Sequence, residues 1–257
     1  SNVCSGIASR KTVIDKRIAE LAPDIVALQE ASKYTAAPSG YRFAYNGQND
    51  ILIRTGRFAP VAAKSGGATS GATLFASSYA SAGKGMSWAA VRHSSGAYLL
   101  VANTHLVVGT SASLVRQREY EAGKLADAIS ATLTRLNKTH RSLTDWTKAP
   151  VIVLGDFNTH KSRTGDKTMA VLEQRGWHDA YDQARVLSLQ HYNTANPTMS
   201  LTPFVSVTWG DHVDKVLVRP SRSVVFRWAN AGKTAGGKWI GPLGSDHHPL
   251  SVRLGLR

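Results

Sequence analysis

An α/β fold of two packed sheets with outer helices is what this sequence predicts, and three observations predict it. Helix-like and strand-like periods alternate along all 257 residues. No internal repeat and no linker divides them, so residues 1–257 read as one domain. Polar residues recur where apolar strands end, which is where α/β folds assemble sites.

The elements follow in order. Lys11 to Leu21 carries Ile14, Ile18 and Leu21 on one face of a short helix, which Pro23-Asp24 ends. "IVALQE" reads as a buried strand, and "YRFAYN" and "DILIRTG" as two more. Lys64 to Gly85 is a Gly, Ala and Ser tract and reads as a long surface loop. "MSWAAVRH", "SSG" and "AYLLVANTHL" form a hairpin pattern. Ser113 to Leu136 is helical, with Leu114, Leu125, Ile129 and Leu133 available to the core. "VIVLGDFN" is a strand and Lys167 to Arg175 a short helix. "VSVTWG", "VDKVLVRP", "SVVFRWAN" and "HHPLSVRLGLR" read as strands to the end.

Composition narrows the class. The chain is 42% hydrophobic and 19% charged, as expected for a globular protein with a sizeable core. No apolar run approaches the roughly 20 residues of a membrane span, so no stable membrane insertion is expected. Cys4 is the one cysteine, which excludes intramolecular disulfides and thiolate metal clusters. Lys plus Arg number 31 against 17 Asp plus Glu, a net charge of +14. Ile51 to Arg118 holds no acid, nor does Lys215 to Ser245. Fields of this kind favour polyanions, nucleic acid first and anionic membrane second.

The strand-end residues form a chemical set. "LQE" ends in Glu30, "NTHL" carries Asn103 and His105, and "GDFN" carries Asp156 and Asn158. "HVDKVLV" carries Asp214, and "GSDHHPL" carries Asp246, His247 and His248. Carboxylates and amides are hard oxygen donors that suit Mg²⁺ or Mn²⁺ over zinc. The imidazoles can move protons near neutral pH.

In this order, "LQE", "NTHL", "GDFN" and "SDH" resemble the motifs of the endonuclease/exonuclease/phosphatase superfamily. That superfamily includes deoxyribonuclease I, abasic-site endonucleases, neutral sphingomyelinases and inositol-polyphosphate phosphatases. The resemblance runs from "NVCSG" to "SDHHPL" and implies a four-layer α/β/β/α sandwich, its two packed sheets mostly antiparallel, with the site at one edge of them. It also implies roles. Glu30 is the principal metal ligand, with Asp246 beside the ion. Asn2 resembles the asparagine closing the family's first strand, which leaves that strand truncated at the N-terminus. Asp156 and Asn158 orient the attacking water and hold a phosphate oxygen. On an extended strand the two would face the same way. His247 is the general base or phosphate-polarising group, and Asp214 holds its tautomer. His105 acts near the leaving oxygen, and the sequence names no acidic partner for it. Asn103 and Asn49 are the substrate-side amides.

A Mg²⁺-dependent DNA endonuclease is the first functional reading, since basicity and two catalytic-type histidines suit a nuclease, with DNA ahead of RNA. A sphingomyelinase-like phospholipid or inositol-phosphate phosphoesterase on the same core is the alternative. The expected state is a secreted monomer, or else a soluble domain of a larger protein.

Overall fold

The computed structural model of the chain describes residues 7–63, 67–75, 84–205 and 212–256. In chain order the elements are α1 (Ile7–Leu21), β1 (Ile25–Leu28), β2 (Tyr41–Tyr45), β3 (Asp50–Arg54), β4 (Phe58–Pro60), β5 (Ser70–Leu74), β6 (Gly85–His93) and β7 (Tyr98–His105). Then come α2 (Ala112–His140), β8 (Val151–Asp156), α3 (Thr168–Glu173), β9 (His178–Asp179), α4 (Ala180–Gln183), β10 (Val186–Ser188), β11 (Asp214–Val218), β12 (Ser223–Asn230), β13 (Thr234–Ala235), β14 (Lys238–Trp239) and β15 (Leu250–Leu256).

A seven-stranded sheet runs β4-β6-β7-β8-β11-β9, with β5 also on β6. Its one parallel pairing is β7 with β8. Period-two alternation sorts these strands between two cores. Trp88, Ala90, Leu100, Ala102, Val151, Val153 and Leu217 pack with Leu125, Ile129 and Leu133 of α2 and Leu172 of α3. Their neighbours Ala89, Val91, Leu99, Val101, Ile152 and Val216 pack with Ile51, Ile53, Val225 and Trp228 of two three-stranded sheets, β1-β3-β2 and β10-β12-β15. Ile14 of α1 covers the far side of the first of these, against Val26, Phe43 and Leu52. The order helix, sheet, sheet, helix is the expected sandwich.

Local differences have local causes. The tract read as a loop contains β5, which pairs with β6 from Ser70↔Ala89 to Leu74↔Gly85. Gly71 lies flat on Trp88, where a Cβ would meet the indole at 3.1 Å, so small residues there serve packing. The long helix runs over Ala112–His140, and Ser111 sets its start by accepting from Leu114 N. Trp228 and Trp239 are both core residues. The strand expected at "VSVTWG" lies almost wholly outside the described residues, as does Asn2, where the end of a first strand was expected. Among the described residues no helix is long and apolar enough to cross a membrane.

Candidate active site

Strand register builds the site. β7 and β8 end and antiparallel β11 begins in one row, with His105 opposite Asp156 and Asp156 opposite Asp214. Gly155 makes that closeness possible: a Cβ there would lie 2.1 Å from the Thr104 carbonyl oxygen. His247 reaches the row from the segment before β15, tied down by its own N–H to Ser245 Oγ (3.1 Å) and by a bridge to Ala195.

Imidazoles and carboxylates alternate along the row. His247 Nδ1 lies 2.8 Å from Asp214 Oδ2, and His247 Nε2 lies 3.9 Å from Asp156 Oδ2. His105 Nε2 lies 3.5 Å from the same Asp156 oxygen, and His105 Nδ1 lies 3.9 Å from Glu30 Oε1. His105 therefore has two acidic neighbours that its sequence context did not reveal. Burial alone would lower the His247 pKa, but Asp214, with Asp156 and Asp246, overrides it and pushes it to about 10. Burial, Lys84 and His247 push His105 down to about 4. Asp156 is held well above the usual carboxylate range by burial and by Asp214. Burial would raise Asp214 as well, but the His247 imidazole holds it below that range. The row thus separates a protonated imidazole, a neutral imidazole and a basic carboxylate.

Asn158 corrects the sequence reading. β8 ends at Asp156, and Asn158 adopts a left-handed backbone at φ 51°. An Asx turn, with Asn158 N–H donating to Asp156 Oδ1 at 2.8 Å, replaces the extended pair. The Asn158 side chain donates to the Leu106 carbonyl at 3.0 Å, which leaves one N–H for other use. Asn103 is fully buried. It donates to the Leu28 and Asp50 carbonyls (2.9 and 2.8 Å) and accepts from Gln29 (2.7 Å), so it ties β7 to the facing sheet rather than reaching a substrate. Asn49 is nearly buried beside it, and its Oδ1 has no hydrogen-bond partner. His248 stacks on Trp239 with ring centroids 3.8 Å apart, away from the row.

Three groups escaped the sequence reading. Thr194 Oγ1 accepts from Asp214 N (3.3 Å), and the Thr194 carbonyl accepts from His248 N (2.7 Å). Asn196 N donates to the Asp246 carbonyl (2.6 Å), so the "NTAN" segment holds both Asp214 and the "SDHH" turn. Behind the row, fully buried Arg118 donates to the Val107 and Gly109 carbonyls (2.9 and 2.8 Å) and to Asp166 (2.7 Å). Arg163, 3.9 Å from the same Asp166 carboxylate, donates to the Asn158 carbonyl (2.7 Å). The third is Lys84, beside Leu106 at the same sheet end.

Ligand atoms of Asp156, Asp214 and His247 lie within 4.8 Å of one another, a group able to hold a metal ion. Glu30 stands outside that group, its side chain 64% exposed. Asp246 lies close enough to raise the His247 pKa. The carboxylates of Glu30 and Asp246 are hard oxygen donors, a chemistry that fits Mg²⁺ or Mn²⁺.

The profile of the Endonuclease/Exonuclease/phosphatase family matches residues 2–247. Among solved structures, a mannosyl-6-phosphatase of Bacteroides thetaiotaomicron superposes with TM-score 0.67 at 18% identity, covering 97% of this chain and 92% of that one. A family protein from the same organism gives 0.68 at 18% identity, over 97% and 87%. The human Nocturnin catalytic domain with bound sulfate gives 0.59 at 18% identity, over 97% and 87%. A search of curated proteins finds no match.

Proposed function

Because the chain belongs to the Endonuclease/Exonuclease/phosphatase family, whose members hydrolyse phosphoester bonds and typically use a divalent metal, we propose that it is a Mg²⁺-dependent phosphodiesterase acting as a DNA endonuclease. The observation that carries the reading is His247, held between Asp214 and Asp156 at the end of the sheet in a protein of net charge +14.

Hydrolysis must place a water in line with the leaving oxygen and stabilise extra charge on phosphorus. Protonated His247 donates Nε2–H to a non-bridging oxygen, since Asp214 occupies Nδ1. Asp156, its basicity raised by burial, accepts the water's proton. Neutral His105 faces the leaving oxygen. The spare Asn158 N–H donates to phosphate without adding a repelling charge. Glu30 is best placed to hold the metal, with Asp246 flanking, because its carboxylate is exposed and meets His105 only at 3.9 Å. Asp214 and Asp156 are committed to His247 and to Asn158 N–H. The ion would supply Lewis-acid neutralisation of phosphate charge. DNA is favoured by the acid-free tracts from Ile51 to Arg118 and from Lys215 to Ser245.

One observation favours phospholipid as the second reading. Leu201, Phe204, Val205 and Ile240 are exposed large apolar residues, and the Leu201 carbonyl bonded to Trp239 N brings Leu201 beside Ile240.

The test incubates the protein with Mg²⁺ and, separately, supercoiled plasmid, RNA, sphingomyelin vesicles, inositol phosphates and a sugar phosphate. Plasmid nicking that EDTA abolishes is expected. Calorimetry should show Mg²⁺ affinity falling sharply in Glu30→Gln. Hydrolysis of vesicles or phosphomonoesters with intact plasmid would replace the nuclease reading.

A further inference from the structure

β6 starts at Gly85, beside the end of β7, so Lys84 is delivered to the sheet end that carries His105. Its Nζ donates to the Leu106 carbonyl at 3.3 Å. That oxygen also accepts from Asn158 Nδ2 at 3.0 Å, so the ammonium and the amide are no further apart than those two bonds end to end. Lys84 is partly buried, and among the described residues this carbonyl is its one hydrogen-bond partner. An ammonium has three N–H donors, and a carbonyl uses one. Burying a cation against a neutral acceptor costs free energy that a direct anion would offset. Asp156, Glu30 and Glu121 act on it only at longer range.

We propose that Lys84 is a substrate-contacting residue whose ammonium binds a non-bridging phosphate oxygen held beside Asn158. The proposal rests on the phosphodiesterase reading and extends it, because a phosphate seated between Asp156 and Asn158 comes within reach of this ammonium. Burial lowers the Lys84 pKa, with Glu121, Asp156 and Glu30 opposing, as expected for a cation short of a direct counter-ion. A purely structural Lys84 would satisfy Leu106 and do nothing for a ligand.

The experiment compares wild type, Lys84→Met, Lys84→Gln and Lys84→Arg, all with Mg²⁺. Calorimetry measures binding of inorganic phosphate, and a DNA duplex gives KM, kcat and the salt dependence. Phosphate affinity should fall about tenfold or more in Met and Gln and recover in Arg. KM should rise with it, and the salt slope should drop by about 0.9, one phosphate contact. Should Met lose stability, Gln against Arg carries the comparison. Phosphate affinity unchanged across the series, lost equally in Arg, or absent in the wild type overturns the assignment. Phosphate binding needs no turnover, so the two readings fail separately. A chain that cuts no DNA but binds phosphate through Lys84 sinks only the nuclease. One that cuts DNA indifferently to Lys84 sinks only this proposal.

Discussion

Replacing Gly155 with alanine perturbs the site without touching a functional side chain. The new Cβ would stand 2.1 Å from Thr104 O and 2.9 Å from Thr104 C, both backbone atoms that cannot rotate away. Ordinary contact begins at 3.4 Å, so β7 and β8 must part by about 1.3 Å. A ladder bond stretched that far is lost. Roughly two such bonds, at about 1 kcal/mol each, plus strain from a Gly φ of 154°, put the cost at roughly 2–4 kcal/mol. That corresponds to a fall in Tm of roughly 5–12 °C. The next residues outward are His105 and Asp156, whose 3.5 Å spacing shifts with the strands. A displacement of about 1 Å costs catalysis on the order of 100-fold. Thermal unfolding and the hydrolysis rate of bis(p-nitrophenyl) phosphate, measured at a temperature where the variant is folded, separate the two effects. A Gly155→Ala protein with wild-type Tm and rate would refute the argument that this glycine sets the strand spacing.

Two further perturbations test the surroundings. Asp50 is fully buried, with Oδ1 accepting from Gly47 N and Asn46 while Oδ2 has no partner, and burial raises its pKa to about 6. The folded protein holds this proton more tightly than the unfolded chain, so the ionised group destabilises above pH 6 and the penalty fades as pH falls towards 4. Asp50→Asn should raise stability at pH 8 by on the order of 2–3 kcal/mol and by little near pH 4, read as urea midpoints at the two pH values. Arg118→Met takes the buried guanidinium from Asp166 Oδ2 and leaves two interior carbonyls without this donor, so about 3–5 kcal/mol should be lost, again in urea. A loss under 1 kcal/mol would show that the buried pair does not hold these loops.

The layered fold was legible because period-two alternation in "AYLLVANTHL" and "VIVLGD" splits each strand between two cores, which is how β7 and β8 pack. Strand ends were legible for the same reason: Asp156 and Asp214 break apolar runs, and register makes them neighbours. What escaped depends on contacts distant in sequence. Thr194 lies 20 residues from the Asp214 amide it accepts from, in a polar segment without period. Lys84 sits in a small-residue tract, and only the pairing of β6 with β7 carries it to the site. Asn158 was misread because "GDFN" continues an extended pattern, whereas its backbone N–H finds a nearer partner in Asp156 and turns the chain. Asn103 stands one pleat from His105 in "NTHL", yet its amide is spent on the facing sheet.

The central claim is that Asp214 and His247 act as one unit on phosphodiester hydrolysis, and a double-variant cycle tests it most directly. Mg²⁺-dependent hydrolysis of bis(p-nitrophenyl) phosphate is measured for wild type, Asp214→Asn, His247→Ala and the pair. Each single change should slow the rate by roughly two to four orders of magnitude, and the pair by little more, because one imidazole held by one carboxylate can be lost only once. Losses that multiply in the double variant, or a His247→Ala protein as fast as the wild type, would contradict the account.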